Sequence, residues 1–477
     1  MATGVITTDC HGAGRGHCHS SDWEDGTAKH LASSKHRLKE TEGFSLSRLE
    51  NLPAELRTLL LLSMPDLPTL RSLVRASPIL HAQYLDNRNN ILSACLDYEV
   101  DGFLIDAYAT AMSRARELGS PRTDKNITDF LSTYQAWLSG STPVPDIKSI
   151  HASRIRWLAA YHLSVARPLA HLYSNWALAN LNTATLSSTG QQGAAAVAVE
   201  EVASPAQDEH DVELSRSEER RVFRALYRFE TYQHLFGQNQ APRHGSFRHH
   251  EINDWFFCIF DPWEAEAIGC IDIFVRLRYE DTFNEINKDL HPRNARFRLE
   301  NGVYNPEGSY DLEMEHDSYM DGTVSRGLKM TARLLGIDDH EKLVSEMQRC
   351  LTHYRDLDAP VRSALGSEAQ NDRREMSTNF PNTRDEAEQR RDPINFIGDT
   401  APPDGLPIAW VLLWGGKYAN IYGEYVPQSV RRWGYVMWDE RRWADMGAKD
   451  LVARQWESSP ELVDEIENDY WWSPVAR

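Results

Sequence analysis

The sequence predicts a mainly α-helical protein, with three short helices near the N-terminus followed by an irregular multi-helix domain. Three observations predict it. Apolar residues recur at i, i+3 and i+4 through most of the patterned stretches, the spacing of one helix face. Prolines set directly after Met, Ser or Leu divide residues 49–97 into short helical pieces. A C-terminal block dense in Trp and Tyr needs other helices to bury it.

The 477 residues suggest two or three domains and room for a sizeable core. With 41% hydrophobic and 25% charged residues the composition is that of an ordinary soluble globular protein. Mean hydropathy is −0.54, and no apolar run approaches the roughly 18 residues of a membrane span. Residues 1–26 lack a basic segment followed by an apolar one, so no secretory signal is read there. A net charge of −19 opposes long-range attraction to nucleic acid or an anionic membrane. The six Cys, at 10, 18, 95, 258, 270 and 350, form no CxxC pair and fit a reducing, intracellular compartment, cytoplasmic or nuclear. The sequon Asn126-Ile127-Thr128 is then expected to be unused.

Taken in order, residues 1–43 are polar and rich in Gly, Ser and His and read as a disordered tail. Residues 44–97 hold the three short helices. Pro53 suits a first turn and Glu55 favours the positive end of the helix dipole, so a helix runs from Pro53 to about Ser63, where Pro65 stops it. Asp66 is the expected N-cap of a second helix, with Pro68 in its first turn and Leu70, Leu73 and Val74 as its stripe. Ser77-Pro78 repeats the start for a third helix carrying Ile79, Leu80, Tyr84 and Leu85.

A first helical part spans 98–181, with Leu104, Ala107, Tyr108 and Ala111, then Ile155, Leu158, Ala159, His162, Leu163 and Ala166, at helical spacing. Pro168 should kink or divide the latter. Residues 182–213 are of low complexity and read as a linker. The second helical part, 214–365, opens on a capping box of Ser215 and Glu218. It contains the apolar "GCIDIFVRL", a buried helix or a short strand, and then two helices expected to break at Gly336. Residues 366–405 read as a second disordered loop. In 406–477, Val430, Trp433, Met437 and Arg441 fit one helix with its aromatic side inward. Trp410, Trp414, Trp433, Trp438 and Trp443 are expected in the core, with a binding groove as the alternative.

Candidate chemistry is sparse. Cys10, His11, His17, Cys18 and His19 are zinc-ligand types, but their Gly- and Ser-rich surroundings offer no knuckle. Glu313 and His316 make one E-x-x-H pair where a di-iron bundle needs two. Gly415-Gly416-Lys417 lacks the upstream Gly and the Ser or Thr of a phosphate loop. Cys258 and Cys270 lie among apolar residues, which favours inert packing over a reactive thiolate. No cofactor, metal or catalytic residue is assigned.

The stretch Asn51–Pro78 carries the strongest signal. Its first helix places Leu56, Leu59 and Leu60 on one face and Leu61 and Leu62 on the other. A unit this small cannot bury every leucine, and each Leu left in water forgoes about 1.5–3 kcal/mol. One face must therefore meet either the rest of the chain or another protein.

"LENLPAELRTLLLLSMPDLPTLRSLVRASPILHAQYLDNRNNIL" resembles an F-box, in the form found in large helical F-box proteins of filamentous fungi. Leu52-Pro53, Glu55-Leu56, Asp66-Leu67 and the "LxxLVRASP" segment from Leu70 to Pro78 carry the likeness, and "RRWGYVMWDERRW" resembles those proteins' closing segment. The Trp of the family's "VCKxW"-like segment is missing. The resemblance implies a non-catalytic, substrate-recognition adaptor of an SCF (Skp–cullin–F-box) ubiquitin ligase. The box would dock on the Skp adaptor, and through it a cullin, while the helical domain binds an unidentified target protein. Nucleic acid and membrane are not among the implied partners. Leu52, Pro53 and Leu56 correspond to the family's first contact turn, and Leu67, Leu70, Leu73 and Val74 to its second helix. The other readings are a helical scaffold whose box no longer binds the ligase, and an enzyme without a recognisable motif.

Overall fold

A computed structural model describes residues 48–119, 121–189, 212–238, 243–298, 307–355, 359–377, 393–399, 405–418 and 426–455. The tail at 1–43, most of the expected linker and half of the expected second loop lie outside these residues. The chain divides between Arg57 and Thr58 into two units. In the first, the Leu52 N–H donates to the Leu49 carbonyl and Arg57 Nη1 donates to the Glu50 carbonyl, closing the turn that leads into helix α1 (Ala54–Leu62).

The second unit is mainly helical among its described residues, and its start follows the local chemistry. The Asp66 side chain accepts from the Thr69 N–H at 2.6 Å and caps α2 (Leu67–Ala76), with Pro68 in the first turn. Ser77 Oγ accepts from the Leu80 N–H at 3.3 Å and caps α3 (Pro78–Glu99). The third helix is longer than the pattern suggests, and it bends at Asn87, where φ is −121° and ψ 21°. It leads to α4 (Leu104–Met112), the single turn α5 (Ala115–Leu118), and α6 (Asp124–Leu138) behind the Thr123 cap.

Helix α7 (Ala152–Tyr161) passes through a π turn, His162–Ala166, into α8 (Arg167–Thr189). Pro168 has no N–H to continue the α ladder, and the wider π turn accommodates it without ending the helix. Burial of Leu181 and Thr185 carries α8 eight residues into the stretch read as linker.

Helix α9 (Arg216–Phe236) begins at the expected capping box: Glu218 N–H donates to Ser215 Oγ, and Ser215 N–H to Glu218 Oε2. Its other end is closed from a distance. The buried Arg122 guanidinium donates to the His234, Leu235 and Gly237 carbonyls at 2.9–3.0 Å, satisfying orphan acceptors of the last turn. Beside it, Arg122–Thr123 and Arg243–His244 pair as two-residue parallel strands. After α10 (His249–Trp255), the 29-residue α11 (Pro262–Leu290) contains "GCIDIFVRL", so this segment is the buried helix.

Helices α12 (His316–Val324), α13 (Leu328–Leu334) and α14 (His340–Cys350) replace the expected pair broken at Gly336. The added break falls at Gly327, where φ is +87° and a Cβ would stand 2.7 Å from Glu230 Oε2. That same oxygen accepts from the Leu328 N–H at 2.6 Å. Next come α15 (Val361–Leu365) and α16 (Ser367–Ser377). The latter lies where a loop was expected, because buried Ala369, Gln370 and Arg373 pack it against α10.

The C-terminal block is α17 (Ile408–Trp414), α18 (Gln428–Arg432), α19 (Glu440–Asp445) and α20 (Lys449–Ala453). It is not one helix through Val430, Trp433, Met437 and Arg441. Gly434, at φ +64° and against the Tyr173 hydroxyl, turns the chain instead. All five tryptophans named above are 6% exposed or less, so they form core.

Helix α9 is the strut of this unit. Its buried Arg228 donates through Nε to Asp106 Oδ1 and pairs through Nη1 with Glu264 Oε1, each at 2.8 Å, and lies 4.3 Å over the Phe260 ring. Tyr134 also donates to Asp106. Arg228→Leu removes the closest cation from the buried Asp106 carboxylate and should lower stability by about 3–5 kcal/mol, read from urea unfolding. The double variant Arg228→Leu/Asp106→Leu should recover much of the loss. A single variant within 1 kcal/mol of wild type would show that the pair does not hold α4 to α9.

Candidate functional site

The box-like segment sorts its leucines by depth. On α1, Leu56 is 47% and Leu59 60% exposed, while Leu61 is completely buried and Leu60 and Leu62 are half-buried. Pro53 is exposed and Leu52 half-buried. On α2, Leu67, Leu70 and Val74 are buried and Leu73 half-buried. Of the seven residues assigned from the sequence, Pro53 and Leu56 thus face solvent, and Leu67, Leu70 and Val74 serve as packing. Leu59 is a surface residue that the assignment passed over, although its place three residues after Leu56 on one helix face is legible in the sequence.

The box helices α2 and α3 are tied to the helices behind them at one carboxylate. Glu99, at the end of α3, accepts from Arg167 Nη1 at 2.5 Å and is also influenced by the backbone N–H of Leu67, which opens α2. Burial pushes its carboxyl above the usual range, against the pull of Arg167 and the Leu67 N–H. Its second oxygen lies 3.8 Å from His162 Nε2, and His162 Nδ1 pairs with the Tyr227 hydroxyl at 2.9 Å. Burial, then Arg167 and Arg216, push His162 down to about 3, so the ring is neutral at the start of the π turn.

Other groupings with catalytic residue types are closed. Ser113 Oγ lies 2.9 Å from His234 Nδ1, and His234 Nε2 lies 3.4 Å from Glu230 Oε1, a serine–histidine–carboxylate series invisible to motif reading. Ser113 is completely buried and its hydroxyl also donates to the Thr110 carbonyl. The series therefore joins α4 to α9 and presents no hydroxyl to a substrate.

Burial pushes the thiol of Cys95 up to about 12 and that of Cys350 to about 11, and raises Cys270 further, so none is a thiolate at neutral pH. His316 pairs with Glu280 at 2.7 Å while Glu313 accepts from Asn287, so the E-x-x-H pair does not converge. No group of three or more His, Cys, Asp or Glu among the described residues is placed to hold a metal ion, and Cys10 to His19 lie outside them.

The second unit contains a cleft of about 750 Å³ between α10, α11, α15, α16 and α18. Arg248, Asp272, Ile273, Asp372 and Met376 are among its lining residues. Two of its arginines are engaged by neighbours: Arg362 with Asp321 at 2.8 Å and Arg431 with both oxygens of Glu266 at 3.0 Å. Its walls thus mix apolar side chains with charges, some of them already matched.

Because His162 is held neutral while an unfolded His titrates near 6.5, the unfolded chain binds the extra proton between these values. Stability from this residue should therefore fall as pH drops below about 6.5, with a limiting slope of about 1.4 kcal/mol per pH unit. Comparing urea midpoints of wild type and His162→Gln between pH 7 and 5.5 checks this; parallel pH profiles would exclude it.

No protein-family model, curated protein or solved structure matches the chain.

Proposed function

We propose that the protein is an F-box-type substrate-recognition adaptor of an SCF ubiquitin ligase. One observation carries this reading: α1 turns Leu56 and Leu59 to solvent, one turn apart, while Leu61 fills the core. A surface helix normally places its leucines inward, and each exposed one forgoes about 1.5–3 kcal/mol of burial unless a partner covers it. The Skp adaptor would cover this face, with Pro53 at its N-terminal end. Leu67, Leu70 and Val74 then act as the packed backing of the box rather than as contact residues.

The protein's contribution would be tethering. The box fixes the chain on the ligase, and the helical unit holds a target, raising its effective concentration beside the ubiquitin-loaded enzyme. The cleft of about 750 Å³ offers room for several side chains of such a target.

The test is co-purification of the full chain with a Skp adaptor and cullin. Wild type should retain the adaptor. Leu56→Asp/Leu59→Asp should lose retention at least tenfold, a change of about 1.4 kcal/mol or more. Its thermal midpoint should stay within about 2 °C, since both positions are surface ones. A folded wild type that never retains the adaptor would leave the scaffold reading in its place.

A further inference from the structure

We propose that His340 is a proton-operated clasp that fastens the first turn of α14 to the acidic flank of α11. The ring lies between two carboxylates of that helix. Nδ1 stands 2.9 Å from Glu285 Oε1, and Nε2 stands 3.1 Å from Asp289 Oδ2. A neutral imidazole carries one N–H, so it donates to one carboxylate and turns a lone pair toward the other. The imidazolium donates to both. The proton therefore decides whether the bridge has two bonds or one.

The surroundings supply no substitute for that proton. Glu285 and Asp289 stand one turn apart on α11, an unfavourable spacing for like charges. Among the described residues neither is paired with an arginine or lysine; His340 is the cation each meets. On the ring's own segment Asp338 and Asp339 precede it, and Glu341 and Lys342 follow. The Asp339 carboxylate is taken up as the N-cap of α14, accepting from the Lys342 N–H at 2.8 Å. A cation at the first position of a helix is opposed by the dipole, so the two carboxylates have to outweigh it. Hydrogen bonding to Glu285, then to Asp289, raises the ring above its usual range. Helix α12 begins in a related way, but with one tie across. His316 reaches Glu280 of α11 at 2.7 Å, while the carboxylate beside its other nitrogen, Asp317 at 3.4 Å, belongs to α12 itself.

The direction of the response follows from linkage. A ring that holds its proton more tightly when folded adds its full hold below the usual histidine value of about 6.5, and loses it as pH rises through the raised value. Buried Leu343, Val344 and Met347 keep α14 on the core throughout. The effect is therefore confined to the first turn, where the Leu343 N–H donates to the Asp339 carbonyl at 2.9 Å. The buried His162 acts in the opposite sense, weakening the fold toward acid, so it does not imitate a loosening toward alkali.

Hydrogen exchange of the full chain at about pH 6 and about pH 8.5, each normalised to unstructured peptide, tests the clasp. Protection of the Leu343 amide should fall about threefold at the higher pH in wild type, the scale of an exposed ion pair. His340→Arg, charged at both values, should keep the protection. His340→Gln should show the lower protection at both. Histidine-ring NMR gives an independent measurement: the His340 ring should titrate at higher pH in wild type than in Glu285→Gln/Asp289→Asn. Wild-type protection that does not fall, an equal fall in His340→Gln, or a ring that titrates no higher than in the carboxylate variant overturns the proposal.

Discussion

The second unit is arranged around a row of arginines on α9 that pair with distant segments, most of them more than a hundred residues away. Arg228 joins Asp106 and Glu264 inside the core, Arg224 donates to the Gly102 carbonyl, and Arg220 pairs with Asp101. On another side Arg221 bridges Asp399 and Asp439, and Glu218 receives both Arg442 nitrogens. The helix thus holds α4 on one flank and the C-terminal block on the other. Buried ion pairs of this kind contribute little net stability over a hydrophobic filling, but breaking one is expensive. Their effect is to define which segments lie against α9, since a shifted register would leave a guanidinium or carboxylate alone in the core.

That division between local and distant causes explains what could be read from the sequence. The boundaries of α1, α2 and the start of α3 depend on Pro65, the Asp66 and Ser77 caps and the prolines that follow them, all within a few residues. The Ser215–Glu218 capping box is equally local. By contrast, the break at Gly327 exists because Glu230, nearly a hundred residues earlier, occupies the place of a Cβ and takes the Leu328 N–H. The turn at Gly434 depends on Tyr173, and α16 on its packing against α10. Periodicity sees an aromatic helix from Val430 to Arg441 because it cannot see the tyrosine hydroxyl that forbids it.

The candidate contact residues were legible only in part for a related reason. Spacing shows that Leu56 and Leu59 share a face and that Leu61 opposes them, but not which face turns inward. On α2 the stripe of Leu67, Leu70 and Val74 is buried, and a leucine stripe at helical spacing does not by itself distinguish packing from docking. The His162–Glu99 contact was beyond reach for the same reason as the Arg228 pairs. It joins a π turn to the end of α3 across more than sixty residues.

The exposed face of α1 limits the kind of partner its chemistry admits. The α1 face interleaves its exposed leucines with Glu55, Arg57 and Thr58, so a partner there must supply matched polar groups around an apolar centre. That arrangement favours a particular foreign surface, because specificity comes from charges that a wrong partner leaves unpaired.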